Sequence, residues 1–589
     1  MIYFLVVWLL LGISCLLIGT FLLHLFKADD FERQGDRFII AIWLGVVVLC
    51  LSCLSLALVL PISPLVGGLI IAGWLCVASL SPLTRTELLT FCSSLSLKKI
   101  IGFLTLALAI AALTTQQIVW FDTGLYHLGL IRWISQYGAV PGIALIHGKL
   151  GFTSSWFAFS APLVPSFLED RVGAVSNGFL FFIALVNWLI FLRQSFQTNN
   201  RLSDWFGSIF FLIIISAYTF SLLTNSAIII SFSHDVPVNC LIGITAWSIL
   251  VISHSSSSNK PDSFGSVYII PLILGTGTAT IKLTALPLLL TVFLFYNFSN
   301  KFKIYPFVFS VILTTLLFLP YPAFSVITSG CPLYPSRLMC FNVPWLVPEF
   351  INQREVKQIR GIESPVTKPQ QISQYEIIFK YLTSLFQKRL ALLKNSFELQ
   401  LIVASFISSI FLSFWMILKY NKDKNITVKS KVWLILLGNF GTIFLLVNIP
   451  LLRMGIGYFI MIISLFIALN GYYLYNHQVN QLNSVNFNLK LLDKNKNYIP
   501  FFLLGVVLIF ISQGETRHRL LLPPKLPSVE LIQAQVNDIS YTYPNNWKNR
   551  CWVAKLPCAN VPIRYNIRLG DSSKGLRGGF VYTPHTNDQ

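Results

Sequence analysis

Apolar residues in this chain fall into long runs separated by short polar connectors, and the pattern repeats along nearly its whole length. A helical run of about 20 residues crosses the ~30 Å hydrocarbon layer of a bilayer. Runs of that kind, some short or broken, occupy 3–26, 38–60, 64–81, 100–119, 172–193, 206–222, 236–254, 267–281, 284–298, 304–320, 398–418, 432–450, 455–474 and 499–513. They predict an all-α polytopic membrane protein of about 14 transmembrane helices. The first run lacks a basic start and a small-x-small cleavage site before Lys27, so it reads as a retained helix. Cys15, within it, reads as a buried thiol rather than a lipidation site.

Composition agrees, since 55% of the 589 residues are hydrophobic and 11% are charged, too few to keep that much apolar surface in a soluble domain. The formal net charge of +20 would suggest nucleic acid in a soluble chain. Here no compact basic domain exists, so the expected partner is membrane lipid and no nucleic acid. The bases instead occupy alternate connectors: Lys27, Arg33 and Arg37; Arg85, Lys98 and Lys99; Arg193 and Arg201; Lys260; Lys301 and Lys303; Lys419, Lys422, Lys424, Lys429 and Lys431; Lys490, Lys494 and Lys496. The short connectors between them, 61–63, 223–235 and 451–454, carry one base, Arg453. By the positive-inside rule the basic set is cytoplasmic and both termini lie outside.

Cysteine usage fits that assignment. Cys331 and Cys340 share one long outer connector and Cys551 and Cys558 share the tail, each pair at a spacing that closes a small ring in an oxidising compartment. Cys15, Cys50, Cys53, Cys76 and Cys240 fall within apolar runs and Cys92 in a cytoplasmic connector. The chain divides into N-terminal helices (1–99), a helical core with the outer loop 120–171 (100–320), an outer loop (321–397), C-terminal helices (398–513) and an outer tail (514–589). Function is expected on the outer face, because the cytoplasmic connectors are short and hold no glycine-rich phosphate cradle.

Candidate chemistry gathers first in FDTGLYHLGLIRWISQYGAVPGIALIHGKLGF, residues 121–152. A short helix is expected over Leu125–Tyr137, with Asp122 or Thr123 as N-cap and Gly138 as stop. Tyr126, Leu130, Trp133 and Tyr137 form an aromatic stripe opposite Gly129, Arg132 and Gln136, which predicts a helix lying along the headgroup layer. Asp122 is either a simple cap or a catalytic acid or base. His127 either satisfies a local hydrogen bond or takes part in the site; with His147 the nearest second histidine, no metal and no cofactor are expected.

Two further charges stand at membrane boundaries. Asp235, in SHDVPV, opens the seventh run, and Lys282, in GTGTATIKLTALP, sits where an apolar run breaks before Pro287. A charge there is costly unless it meets water, a headgroup or a partner, so both are functional candidates, with snorkelling as the alternative. Together with Arg132 and Lys149 they could give one outer site acids for proton transfer and cations for phosphate. Beyond Pro320, TSGCPLYPSRLMCFNVPW reads as a compact lid, and Arg337 inside its ring is a candidate phosphate contact or a solvated loop residue. YEIIFKYLTSLFQKRLALLKN, with Lys380, Lys388, Arg389 and Lys394, reads as a surface helix near anionic headgroups. The tail reads as a small disulfide-held module of short strands that docks on the other outer loops.

FDTGLYHLGLIRW, HDVPV and IKLTALP resemble the C-type integral-membrane glycosyltransferases. DTGLYH, VPG, HGKLGF, SGCPLYPS and CWVAKLPC resemble more closely a bacterial multi-pass family without an established activity, which implies a bacterial plasma membrane. The broader resemblance implies a polyprenyl-phosphate-linked sugar as donor. It makes Asp122 the general base and Lys282 or Arg132 the group that stabilises the leaving phosphate. Tyr126, His127, Arg132, Lys149, Asp235, Lys282 and Arg337 are the expected substrate-binding residues. The acidic loop follows the fourth run here, so residues 1–99 read as an addition to the shared core. A transporter or flippase of lipid-linked saccharide, and a polysaccharide polymerase or ligase, fit the same features.

Overall fold

A computed structural model of the chain describes residues 1–28, 31–168, 171, 173–223, 227–255, 267–360, 397–420, 427–448, 451–482, 499–512, 514–546, 550–552 and 554–583. Chain order begins with α1 (Ile2–Leu25), α2 (Gln34–Ala57), α3 (Pro64–Leu80), α4 (Pro82–Ser94) and α5 (Leu97–Thr114). A loop region follows, carrying α6 (Leu128–Gln136), α7 (Ile143–Ile146) and α8 (Ser155–Ser160). Next come α9 (Val175–Ser195), α10 (Leu202–Leu223), α11 (Asp235–Ser255), α12 (Ile269–Ile281), α13 (Leu286–Ser299), α14 (Ile304–Phe318) and α15 (Pro320–Ser329). After α16 (Glu349–Arg360) the chain passes through α17 (Phe397–Tyr420), α18 (Thr427–Asn448), α19 (Ile456–Phe459), α20 (Met461–Leu482), α21 (Ile499–Ser512) and α22 (Gly514–His518).

Among the described residues, ten helices are long and apolar enough to cross a membrane, counting α14 with α15 and α19 with α20 as single spans. This is a multi-pass membrane protein. The other four expected runs form shorter helices: α3, α12, α13 and α21, of 17, 13, 14 and 14 residues. α3 and α4 are bent by 97° at their junction. Sequence explains the break, because Ser63-Pro64 and Ser81-Pro82 each place a capping serine before a proline at the first helical position, and each serine side chain accepts an amide of the turn it opens. The surface helix expected around Lys380, Lys388, Arg389 and Lys394 lies outside the described residues.

α11 is the centre of the bundle, 94% buried along its apolar window, and packs against α2, α9, α10, α12 and α18. α14 with α15, and α17, are peripheral, at 17% and 22% buried, and turn apolar side chains such as Leu316 and Phe411 outward, as a lipid-facing helix must. α1 and α2 approach backbone to backbone: a Cβ on Gly45 would stand 2.1 Å from the Cys15 carbonyl oxygen. Small residues at such a crossing replace a side-chain layer with direct backbone contact.

The start of α1, the end of α2 and the end of α15 lie at one end of the bundle, as the bonds Ile2 N to Leu520 O (2.9 Å), Ala139 N to Ala57 O (2.7 Å) and Gly142 N to Ile327 O (2.9 Å) show. The opposite end is fastened by ion pairs. Arg33 meets Asp204 at 2.8 Å, Arg201 meets Asp36 at 3.1 Å and also Glu32, and Arg37 meets Glu87 at 2.7 Å.

The C-terminal tail forms two antiparallel hairpin-like pairs, β1 (Leu531–Val536) with β2 (Ile539–Pro544) and β3 (Ile567–Leu569) with β4 (Phe580–Tyr582). Cys551–Cys558 closes a ring within it, and Cys331–Cys340 closes a ring in the long loop after α15. The tail docks on the loops as its size requires: Phe580 N donates to Pro141 O (2.8 Å) and Tyr582 N to Pro344 O (3.2 Å).

The helix expected over Leu125–Tyr137 is divided into a π-turn, Thr123–His127, and α6. It does not lie on a membrane surface. Tyr126, Leu130, Ile131, Arg132 and Trp133 are all buried, and Trp133 meets Phe580 of β4 edge to face at 6.1 Å. The aromatic stripe that resembles a headgroup belt is covered by protein, Trp133 by Phe580 of the tail and Tyr126 by Phe152 and Phe157 of the same loop region.

Candidate functional site

Four stretches far apart in sequence meet at the end of the bundle where the tail docks. Asp122 directly precedes the π-turn, Asp235 is the first residue of α11, Lys282 is the extended residue between α12 and a 3-10 turn, and Arg453 lies in the 3-10 turn before α19. Lys282 Nζ donates to Asp235 Oδ1, and Arg453 Nη1 lies 3.0 Å from Asp122 Oδ2. The pairs are within electrostatic reach of each other, since Arg453 also interacts with Asp235, and Lys282 with Asp122. Asp235 and Lys282 are the enclosed pair, with side chains 5% and 14% exposed, whereas Asp122 and Arg453 are 20% and 34% exposed. Asp122 and Arg453 are therefore the more accessible pair.

Asp122 has helical backbone angles (φ −66°, ψ −24°), and its carboxylate makes no capping hydrogen bond to the turn that follows. The capping role that the sequence allows is not adopted; the side chain turns to Arg453. Burial works against the Arg453 charge, but Asp235 and Asp122 outweigh it and raise its pKa above the ordinary value. The guanidinium also lies over the Trp120 ring, 5.2 Å from its centroid.

A framework of amides holds these groups. Asn239, one turn along α11 from Asp235, donates to Arg453 O (3.0 Å), to Asp235 O (2.9 Å) and to Tyr218 Oη (3.1 Å), while its Oδ1 accepts from Gly457 N (3.0 Å). The Arg453 turn is thus clamped to α11. Tyr458 Oη donates to Thr284 O (3.2 Å), which ties α19 to the break that holds Lys282. Asn177 donates to Ser233 O (3.0 Å) and accepts from Trp156 Nε1 (2.8 Å), fixing the approach to Asp235, whose Oδ2 accepts from Ser233 Oγ (3.2 Å).

Behind the pairs stand two buried histidines. His127 and His234 lie with ring centroids 5.8 Å apart, and both pack on Phe157. Burial, reinforced by Arg453, Lys282 and Lys149 and opposed by Asp235, pushes His127 down to about 3; burial together with Lys282 holds His234 well below the usual range. Both rings are neutral at ordinary pH. Tyr126 is buried against Phe152 and Phe157, and burial followed by Asp122 and Asp235 pushes its hydroxyl well above the usual phenol value, so it is a hydrogen-bond donor and not a base.

The remaining sequence candidates sit further out. Lys149 pairs with Glu355 of α16 at 3.3 Å. Arg132 turns to the tail and donates to Ala554 O at 3.0 Å. Arg337 pairs with Glu349 at 3.0 Å on the surface. The structure also brings in His234, Glu355 and Arg453, which sequence reasoning did not select. Arg453 had a visible signal, as the one base in the short connectors 61–63, 223–235 and 451–454. Among the described residues, no group of three or more histidine, cysteine or acidic side chains could hold a metal ion.

Between α13, α14 and α18 lies an open apolar recess of about 320 Å³ lined by Leu286, Pro287, Leu290, Phe293, Phe440 and Phe444 among others, its lining starting at Leu286, just past the 3-10 turn that follows Lys282. Leu290 and Phe440 are exposed, so the cavity opens sideways on the lipid-facing surface. The charged pairs and the apolar recess are therefore linked through one short turn, Leu283–Ala285, an order along the chain suited to a molecule with a polar head and an apolar chain.

No curated protein and no solved structure matches the chain. The chain belongs to the family described as Domain of unknown function (DUF8201), whose profile matches residues 1–460 and so takes in all four residues of the two ion pairs.

Proposed function

We propose that this protein is a membrane glycosyltransferase that moves a sugar from a polyprenyl-phosphate-linked donor to a hydroxyl acceptor. The observation that carries the reading is the convergence of Asp122–Arg453 with Asp235–Lys282 at one end of the bundle. The apolar recess that begins just past the turn after Lys282 supports a lipid-borne donor, because it offers a place for part of the chain.

In this reaction the acceptor hydroxyl gives its proton to Asp122 while its oxygen bonds to the anomeric carbon. The bond from that carbon to the phosphate oxygen breaks, and the lipid phosphate leaves with the electron pair. Lys282 and Arg453 stand where the new negative charge is stabilised. Asp235 positions Lys282. The site faces the outside of a bacterial plasma membrane, with both termini on that side. The placement of Arg33, Arg37 and Arg201 at the far end supports this orientation.

Purified protein in liposomes, given radiolabelled polyprenyl-phosphate sugars and candidate acceptors, should move label to acceptor. Movement of intact donor across the bilayer with no transfer would replace this reading with that of a flippase.

A further inference from the structure

The tail reaches the site itself. Arg550 stacks its guanidinium on Phe121, 3.7 Å from the ring centroid, beside Asp122, and its charge interacts with that of Asp122. Trp552, two residues on, fills the space over the π-turn, where a Cβ on Gly124 would stand 2.5 Å from the indole. A glycine at this position lets the ring settle directly on the backbone next to Asp122.

The placement is held from both sides. Asn560 donates to Leu125 O (2.6 Å) and accepts from Cys551 N (3.3 Å), so one amide joins the π-turn to the residue after Arg550. Arg132 grips the same loop at Ala554 O, and the Cys551–Cys558 ring fixes its ends. Ala559 N donates to Thr542 O (3.0 Å) and anchors the ring to β2. A loop whose sole task was to cover apolar surface would have no need to set a guanidinium on the ring next in sequence to a carboxylate already paired with Arg453.

We infer that the C-terminal module is a working part of the site, in which Arg550 and Arg453 approach Asp122 from different chain segments and together bind the phosphate of the substrate. Two guanidiniums present paired N–H donors that match phosphate oxygens in a way one lysine cannot. Calling the anion a phosphate rests on the transferase reading; the anion-binding role of Arg550 does not. Trp552 is the wall that keeps the anion at the level of Asp122.

The test uses full-length protein in detergent and two probes, inorganic phosphate and farnesyl phosphate, with binding read by calorimetry. Wild-type protein should bind farnesyl phosphate, and Arg550→Gln should weaken it at least tenfold, while Arg550→Lys restores only part of the loss. Inorganic phosphate should bind in the same order but more weakly if the apolar recess contributes, and equally if the anion alone is recognised; either result supports the role of Arg550. Arg550→Gln must keep the Cys551–Cys558 bond and wild-type abundance; should it lose them, Trp552→Phe and Arg550→Lys carry the comparison. Unchanged affinity in Arg550→Gln, or no binding of either probe to wild-type protein, would overturn the inference. Arg550-dependent binding without any sugar transfer would leave it standing and count against the transferase alone.

Discussion

Asp122 and Arg453 meet at 3.0 Å across the mouth of the site, one from the loop after α5 and the other from the turn before α19. Asp122 accepts from Arg453 and caps nothing. Asp122→Asn and Asp122→Ala should therefore both leave abundance within about twofold of wild type, since a partly exposed pair contributes little to stability. Transfer activity should fall by roughly 10²–10⁴ in both, as expected when a general base is removed. Radiolabel transfer at matched expression is the measurement, and full activity in Asp122→Asn would remove Asp122 from the mechanism.

Asp235 and Lys282 behave differently because they are enclosed. Lys282→Met alone leaves a buried carboxylate without its partner, which costs roughly 3–5 kcal/mol. Asp235→Asn with Lys282→Met should recover most of that loss. Thermal unfolding in detergent of the four members of the cycle checks it; losses that simply add would show that the two side chains do not depend on each other.

Acid should destabilise the protein through His127. Its folded-state pKa of about 3 lies below the ordinary 6.5, so between those values the unfolded chain binds a proton that the folded chain does not. Stability contributed by the neutral ring is complete above 6.5 and is lost progressively as pH falls toward 3. The drop in melting temperature between pH 7.5 and 5 should be smaller in His127→Phe than in wild type. An equal drop would mean that His127 titrates normally.

The chain has ten cysteines, of which Cys15, Cys50, Cys53, Cys76, Cys92 and Cys240 are free and the rest form two disulfides. Denatured, unreduced protein should take up maleimide at these six and reduced protein at all ten. In the folded protein an aqueous reagent should reach exposed Cys92, and on intact cells only after permeabilisation if both termini lie outside. Labelling of Cys92 on sealed cells would reverse the topology.

Much of the fold was legible because a bilayer demands long apolar helices, and even the break at Ser81-Pro82 is written in local capping chemistry. The 121–137 segment was harder. Its aromatic stripe has the same pattern whether the covering layer is headgroups or Phe580, and only the fold decides between them. Asp122, Asp235 and Lys282 stood out as charges at membrane boundaries, which is a local property. Arg453 was visible as an odd base in a short connector, but its two acids and the Asn239 clamp are contacts between distant segments, which no spacing rule reports. Lys149 drew attention for its charge, while Glu355, its partner, came from α16, a helix with no marker of its own.

The ion pairs at the far end bear on how such a protein acquires its orientation. Arg33, Arg37 and Arg201 are fastened to Asp204, Glu87, Asp36 and Glu32, so in the finished molecule they present little net field to a lipid surface. Arg33 lies 171 residues ahead of Asp204 and Arg37 lies 50 ahead of Glu87, so any pull these two exert on anionic lipid belongs to the period of synthesis before those partners emerge, whereas Arg201 follows Glu32 and Asp36 and finds them in place. The same arginines then serve as rivets between helices made at different times, so a variant lacking Asp204 would alter the joint after insertion while leaving the earlier topogenic signal intact.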